Sequence, residues 1–512
     1  MRIMKKYALL ISVCAIAGTA SAGDAPRKNV LFIAVDDLKP ILGCYGDKMI
    51  KTPNIDEISA RGTLFTHCYC QQAISGPSRT SLLTGKRPDY TQVWDLKTKM
   101  REVRPGIVTI PQHFRDNGYH SAGVGKIFDY RNVKNNDTVS WSQRYIDYRE
   151  FFNPRYVQPY ANYYQDPEFR KIYEKKLSEG RFAGLKGAAL NQYALKSVNR
   201  SMESVDVPDD AYADGAITNA AVKFISGYES EKPFFLAVGF MRPHLPFVAP
   251  EKYFELYDRE SIPLAQFRRK AADSPNIAYH NSGELKSYSD IPAIYSYNDI
   301  ENTVLFRYEQ RRLIHAYYAC VSYIDAQIGR LIGVLREKGV YDDTIIVLWG
   351  DHGWHLGDHG LWGKNTNFEQ ATRSPLIISA TGLSAGVSET PTEFVDIFPT
   401  LCQLARLDTP GGLDGISLVA QISGTTGERY AVSQISSGGT MGYSIRTGRY
   451  RYTIWFDWKN RILDTGRITA EELYDYSADP HETKNRITDR SCEIALEQMR
   501  SIWEQYKLKN NL

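Results

Sequence analysis

KNVLFIAVDD, residues 28–37, is a continuous apolar run that closes on two acids. Its inner positions do not alternate with polar ones, which predicts a strand buried on both faces rather than one face of an exposed sheet. The same layout returns far downstream in TIIVLWGD (344–351), again an apolar strand delivering an acid. PFFLAVGF (233–240), PLIISA (375–380) and the shorter HSAGVGK (120–126) read as further strands. Helices separate them. TPNIDEISARG (52–62) carries Thr52 as a cap, Pro53 in the first turn and Gly62 at the end. Strand-like VTI leads into a helix at 108–117, and residues 311–338 repeat apolar side chains at helical spacing. Apolar strands alternating with helices predict an α/β sheet covered on both faces. Ligands of such sheets collect beyond the carboxyl ends of the strands, where Asp36, Asp37 and Asp351 stand.

Two stretches break the alternation. Residues 131–215 and 258–305 are rich in Tyr, Asn, Asp, Pro and Lys and read as long loops with short helices that shape a substrate site. After Gly427, YAVSQI, GYSIRTGRYRYTIWF and ELYDYSADP read as alternating strands before a last helix near 490–507. The expected organisation is a main α/β unit over 23–427 and a smaller α+β subdomain with an antiparallel sheet over 428–512.

Lys+Arg 62 against Asp+Glu 59 leaves a net charge of +3, which argues against a nucleic-acid partner. MRIMKK, the apolar YALLISVCAIAG and Ala20-Ser21-Ala22 form a signal peptide, 1–22, cleaved after Ala22. The run is too short to span a membrane, so a periplasmic or secreted chain without stable membrane insertion is expected. Cys14 permits a lipoprotein alternative, against which Val13 is too large. The six remaining cysteines permit disulfides without fixing their pairing, and the C-x-C of Cys68 and Cys70 lacks the second pair of a zinc site.

Asp36-Asp37 alone reads as a cap. Joined by Asp351-His352-Gly353, it reads as three carboxylates and an imidazole at one sheet edge, a set suited to a hard divalent ion, Ca²⁺ ahead of Mg²⁺. Lys126, Lys364, Arg79 and His244 each read singly as solvated or loop residues. Together, following separate strand-like segments, they describe a pocket for a multiply charged anion such as a sulfate or phosphate ester. ISGPSRTSLLTGKRP (74–88) places Ser75 and Arg79 one helical turn apart, as a simple cap or as a nucleophile with a cation beneath it.

These motifs together resemble a type I sulfatase of the alkaline phosphatase superfamily: Asp36-Asp37, Ser75-x-Pro77-Ser78-Arg79 with Leu83-Thr84-Gly85, Gly125-Lys126, His244 and Asp351-His352-Gly353. Within it, VDDLKPILGCYGDK, RPHLPF, SYIDAQIGRL, DHGWHLGDHGLWGK and MGYSIRTGRYRYT are most similar to the iduronate-2-sulfatases. The resemblance implies an alkaline-phosphatase-like mixed sheet flanked by helices. It implies that Ser75 is oxidised to Cα-formylglycine by a radical maturation enzyme, one hydroxyl of the hydrate attacking sulfur and the other later expelling sulfate. Asp36, Asp37, Asp351 and His352 would hold Ca²⁺, Arg79 would steady the hydrate, Lys126 and Lys364 would neutralise the sulfate, and His244 would protonate the leaving alcohol. Where the family has a histidine after the Lys126 position, Asp129 stands here, as a base or a further metal ligand. The implied reaction is exo-acting removal of a uronate 2-O-sulfate from heparin or heparan sulfate, with Arg242, Trp354 and His355 meeting the sugar or its carboxylate. A sulfatase for carrageenan or ulvan, a phosphoesterase of the superfamily and a non-catalytic glycan binder remain alternatives.

Overall fold

A computed structural model describes residues 27–152, 164–291, 307–425 and 427–512. The signal-peptide reading of residues 1–22, including Cys14, lies outside them. Eight strands form the main sheet: β1 (Asn29–Val35), β2 (Thr63–Phe65), β3 (His120–Gly125), β4 (Ile146–Asp147), β5 (Phe234–Phe240), β6 (Thr344–Gly350), β7 (Leu376–Ser379) and β8 (Gly386–Ser388), in the order β8-β2-β7-β6-β1-β5-β3-β4. β1 lies at the centre, parallel to β5 and β6, with β3 and β4 parallel beyond β5. β7 runs antiparallel to both β6 and β2, which makes the sheet mixed.

Both faces of β1 are buried, as its unbroken apolar run requires. Leu31, Ile33 and Val35 face one core with α2 (Ala213–Ser226) and α3 (Arg307–Glu337). Val30, Phe32 and Ala34 face the other, with Leu82 and Leu83 of α1 (Ser75–Thr84) and with Phe398 and Leu401. Each Val, Leu, Ile or Phe among them contributes about 1.5–3 kcal/mol when fully buried.

The second sheet is an antiparallel meander of β9 (Ala431–Ser437), β10 (Thr440–Arg446), β11 (Tyr450–Lys459) and β12 (Ile462–Asp475), covered by α4 (Glu493–Asn510). Met499, Trp503 and Tyr506 of α4 pack on Tyr443, Ile445 and Phe456. The second sheet is tied to the main unit through buried charge, including Glu393, which accepts from Val432 N at 2.8 Å. Glu369 accepts from Arg446 at 3.3 Å, Arg451 at 2.6 Å and Tyr69 at 3.0 Å, and Arg87 grips Glu393 with two bonds of 2.6 and 2.7 Å.

Several local expectations change. Thr52 does not cap the helix Pro53–Ala60: its hydroxyl accepts from Gly43 N and donates to Asp56. Asp325 of α3 takes the free amides of Asn54 and Ile55 instead, so the cap comes from a neighbouring helix. VTI is not a strand but the extended approach to the helix Ile110–Asp116, which Thr109 caps. Residues 131–215 hold a sixteen-residue helix, Pro167–Phe182, with Asp166 accepting from Glu168 N at 2.8 Å. Cys44, Cys68, Cys70, Cys320, Cys402 and Cys492 are all unpaired, so the disulfides their even number permits do not form.

Candidate active site

The register of three parallel strands builds the site. Val35 lies level with Phe240 on one side and Gly350 on the other, so the residues that follow all emerge at one sheet edge. These are Asp36-Asp37, Met241 to His244, and Asp351-His352. Lys126 joins them from β3, where Gly125 faces Gly239. Gly125 has φ +90°, and a Cβ there would fall 2.0 Å from the Gly239 carbonyl oxygen, so only glycine lets the strands close at this point. Asp37 also has a left-handed backbone, φ 59°, strained by about 1–3 kcal/mol. Its N–H donates to Asp351 Oδ1 at 2.9 Å and its carbonyl accepts from the Tyr317 hydroxyl at 2.7 Å, which hold it there.

Ser75 is the first residue of α1, all ten residues of which are buried. Its Oγ lies 3.3 Å from Asp36 Oδ1 and 3.2 Å from His352 Nε2. One turn on, Arg79 lies beneath it with no exposed surface. Arg79 donates to Asp351 Oδ2 at 3.0 Å, to Asp36 Oδ1 at 2.9 Å, and to the carbonyls of Lys126 and Ile127. Lys126 Nζ pairs with Asp36 Oδ2. Lys364 Nζ donates to both oxygens of Asp37, at 2.8 and 2.9 Å.

The electrostatics divide the two acids. Burial favours the neutral form of Asp36, but Lys126 and Arg79 outweigh it and hold the carboxyl well below the usual range. Burial carries Asp37 well above it; Lys364 opposes the rise, and Asp36 and Glu284 add to it. Two groups of donors, Asp36–Asp37–His244 and Asp37–Asp351–His352, have their atoms within 4.8 Å of one another. Ligands ~2.3–2.6 Å from one hard cation lie at most about 5 Å apart, so this oxygen-rich set fits a divalent ion.

Above this floor opens a cavity of about 620 Å³ lined by Ser75, Lys126, His244, Lys364, Glu284 and Arg131, with Tyr130, Tyr148 and Trp362 on its walls. His244 points Nε2 at Glu284 Oε1, 3.2 Å away, and Nδ1 at the Leu245 carbonyl, 2.7 Å away. Burial and then Lys364 lower the His244 imidazole to about 4, against the pull of Glu284. Glu284 bridges to Lys364 at 3.4 Å and is held at about 2 because Lys364 and His244 overcome its burial. Glu284 and Arg131 come from the two long loops, where neither carried a sequence signal of its own.

Four expected site residues are placed elsewhere. Asp129 is buried and has both oxygens engaged by Arg131, at 2.9 and 2.7 Å, so it neither lines the cavity nor reaches the metal donors. Arg242 turns inward, donates to the carbonyls of His244 and Pro246 and faces Asp214 at 3.8 Å, bracing the His244 loop from behind. Trp354 lies beneath Lys364, 5.0 Å from its ammonium to the ring centre. His355 is buried against Thr366. Arg242, Trp354 and His355 therefore lie behind the residues that line the cavity.

Buried His355 also neighbours half-buried His280, which lines the cavity, and buried His359, whose ring centres stand 6.2 and 6.0 Å from it. One nitrogen on each has no protein partner. Burial lowers all three, His280 to about 4. They are neutral in the fold, whereas unfolded histidine titrates near ~6.5. The contribution of His280 is therefore fully present above that pH and is lost as pH falls through it toward about 4, and those of His355 and His359 are lost in the same direction. His280 alone is expected to withdraw on the order of 2 kcal/mol between pH 7 and 5. Urea unfolding at both pH values checks this, with His280→Gln expected to reduce the difference.

A model of the sulfatase family matches residues 28–407. The chain belongs to the sulfatase family. A second family model, the N-sulphoglucosamine sulphohydrolase C-terminal region, matches residues 357–509 of this sulfatase. The sulfatase is 32% identical to human iduronate 2-sulfatase, with 94% of this chain and 95% of that one covered. It is 30% identical to a sulfatase of Formosa agariphila, covering 97% and 91% of the two chains. In fold it superposes at a TM-score of 0.71 and 20% identity on a structure solved in complex with its substrate D-glucosamine-2-N,6-O-disulfate, covering 95% of this chain and 98% of that one. It superposes at 0.68 and 22% identity on the phosphonate monoester hydrolase of Agrobacterium radiobacter, covering 94% and 96%.

Proposed function

We propose that this sulfatase is an exported enzyme that removes the 2-O-sulfate of a uronic acid at the non-reducing end of heparin, heparan sulfate or a related glycosaminoglycan. The observation that carries the reading is the placement of Ser75, at a helix start on the cavity floor, between three carboxylates, an imidazole and three cations. The sulfate-ester chemistry rests on that floor, and the uronate on the 32% identity to human iduronate 2-sulfatase. A cavity that ends on a buried floor suits a terminal sugar.

Asp36, Asp37, Asp351 and His352 are the proposed holders of Ca²⁺. When present, the ion polarises a sulfate oxygen, while the aldehyde hydrate formed from Ser75 by a radical maturation enzyme supplies the attacking hydroxyl. Arg79 fixes Asp36 and Asp351 in place and carries positive charge under residue 75. Lys126 and Lys364 line the cavity and neutralise the sulfate as charge moves onto the leaving oxygen. Nδ1–H of His244 is committed to the Leu245 carbonyl, so Nε2 is the atom on which a proton comes and goes. An anionic substrate offsets the burial and the Lys364 charge that lower this imidazole, and so readies it to protonate the leaving alcohol. The signal peptide, 1–22, places the enzyme in the periplasm or outside the cell, with residues 23–427 as catalytic unit and 428–512 as its companion.

The test is a panel of defined sugars offered with Ca²⁺ to protein whose formylglycine is confirmed by peptide mass. It includes unsaturated heparin disaccharides sulfated at the uronate 2-position, the glucosamine 6-position or nitrogen. Release of the uronate 2-sulfate alone is expected. Release only from carrageenan or ulvan fragments would keep the sulfatase chemistry and overturn the uronate.

A further inference from the structure

Arg131 lines the cavity wall and forms its ion pair with Asp129, away from the floor acids. Its side chain is 39% exposed, yet its partner Asp129 is almost wholly buried. Asp129 receives Nε at 2.9 Å, Nη2 at 2.7 Å and the backbone N–H of Arg131 at 3.0 Å. Burial pushes the Asp129 carboxyl up, but the bonds from Arg131 and the charge of Lys126 hold it down at about 2. The short loop is anchored on both sides. Asn132 Nδ2 donates to the carbonyls of Asp95 and Thr98, each at 2.8 Å, and Lys99 Nζ donates to the Arg131 carbonyl at 2.8 Å.

A guanidinium has two forked edges. Asp129 occupies the Nε–Nη2 edge, leaving the Nη1–Nη2 edge for the cavity. A planar pair of N–H donors held rigid matches a carboxylate or sulfate with two parallel bonds, and preorganisation limits the entropy lost on binding. The pair has little net charge, so it recognises by direction rather than by attraction at a distance. Tyr130 and Tyr148 share this wall, and Arg149 covers the Tyr130 ring at 4.0 Å, which helps hold that ring beside the donors. The other anion-binding groups, Lys126, Lys364 and His244, gather at the floor. Glu284, the remaining acid on the wall, is already paired with Lys364 and His244.

We propose that Arg131, clamped by Asp129, reads a second anionic group on the sugar that carries the scissile sulfate, making Asp129 a positioning residue. The proposal rests on reading the cavity as a sulfate-ester site. Its test is the ratio of kcat/KM between a dianionic and a monoanionic sulfate ester, measured on matured enzyme with Ca²⁺. The pair is an unsaturated uronate 2-sulfate disaccharide and its carboxyl-reduced counterpart. Arg131→Gln is expected to lower the ratio ~10–100-fold, mostly through KM, and Asp129→Asn to lower it by less. Arg131→Lys restores charge without the fork and is expected to recover only part. An unchanged ratio in Arg131→Gln overturns the proposal. If the wild-type enzyme ignores uronate 2-sulfates, the same ratio is taken between disulfated and monosulfated forms of the sugar it does accept. A drop there assigns the second anion to sulfate rather than carboxylate, so failure of the uronate reading is distinguishable from failure of Arg131.

Discussion

Ser75→Ala is expected to leave a folded protein that releases no sulfate, a loss on the order of 10⁴–10⁶-fold in turnover. The fold survives because Ser75 contributes only long contacts, 3.3 Å to Asp36 and 3.2 Å to His352, while the other nine residues of α1 are buried in their own right. Losing such a bond costs about 1 kcal/mol. Activity does not survive because, among the described residues, no other serine, threonine or cysteine lines the cavity: Ser78 donates to the Asp351 carbonyl, away from it. Sulfate binding should persist in the variant, since Lys126, Lys364 and His244 are untouched. Wild-type protein made without a maturation enzyme should match the variant in its inactivity, with peptide mass showing unmodified serine. Substantial turnover by Ser75→Ala would remove residue 75 from the chemistry.

The second large effect is expected at Asp351→Asn. The amide keeps the shape but removes one of the two carboxylates that grip Arg79 and one donor of the Asp37–Asp351–His352 group. Activity should fall about 10³-fold, the scale for losing a preorganised electrostatic element. The direct readout is thermal stability with and without Ca²⁺. An ion at ~100 times its Kd stabilises the wild-type fold by about 2.7 kcal/mol, and the rise in Tm should be abolished in the variant and reversed by a chelator in the wild type. Equal Ca²⁺-induced shifts in both proteins would place the ion elsewhere.

What could be read from the sequence divides along physical lines. Buried strands advertise themselves, because burial on both faces forces unbroken apolar runs, and an acid at the end of such a run has few structural excuses. Asp36, Asp37 and Asp351 were legible for that reason, and Lys126 and His244 because they directly follow strand-like runs. Glu284 and Arg131 were not, since each is one charge among many in a polar loop and only tertiary folding turns it inward. Arg242, beside His244, looked like a sugar contact; its length let it fold back under the loop to Asp214 instead. The helix Pro167–Phe182 was lost in a charged, exposed segment, although Asp166-Pro167 is a start signal.

The burial of α1 sets a timetable. Ser75 is 3% exposed once folded, so an enzyme that alters it must reach it earlier. His352 closes over Ser75 from 277 residues further along the chain. At ~5–20 residues per second, translation leaves roughly 15–55 s between the appearance of the two. During that interval β1 has no β6 beside it, the floor does not exist, and the serine is presented on an open segment. For the maturation proposed at Ser75, the distance in sequence between the two halves of the site would thus double as a time window, and a chain that folded faster from its own N-terminal half would close that window early.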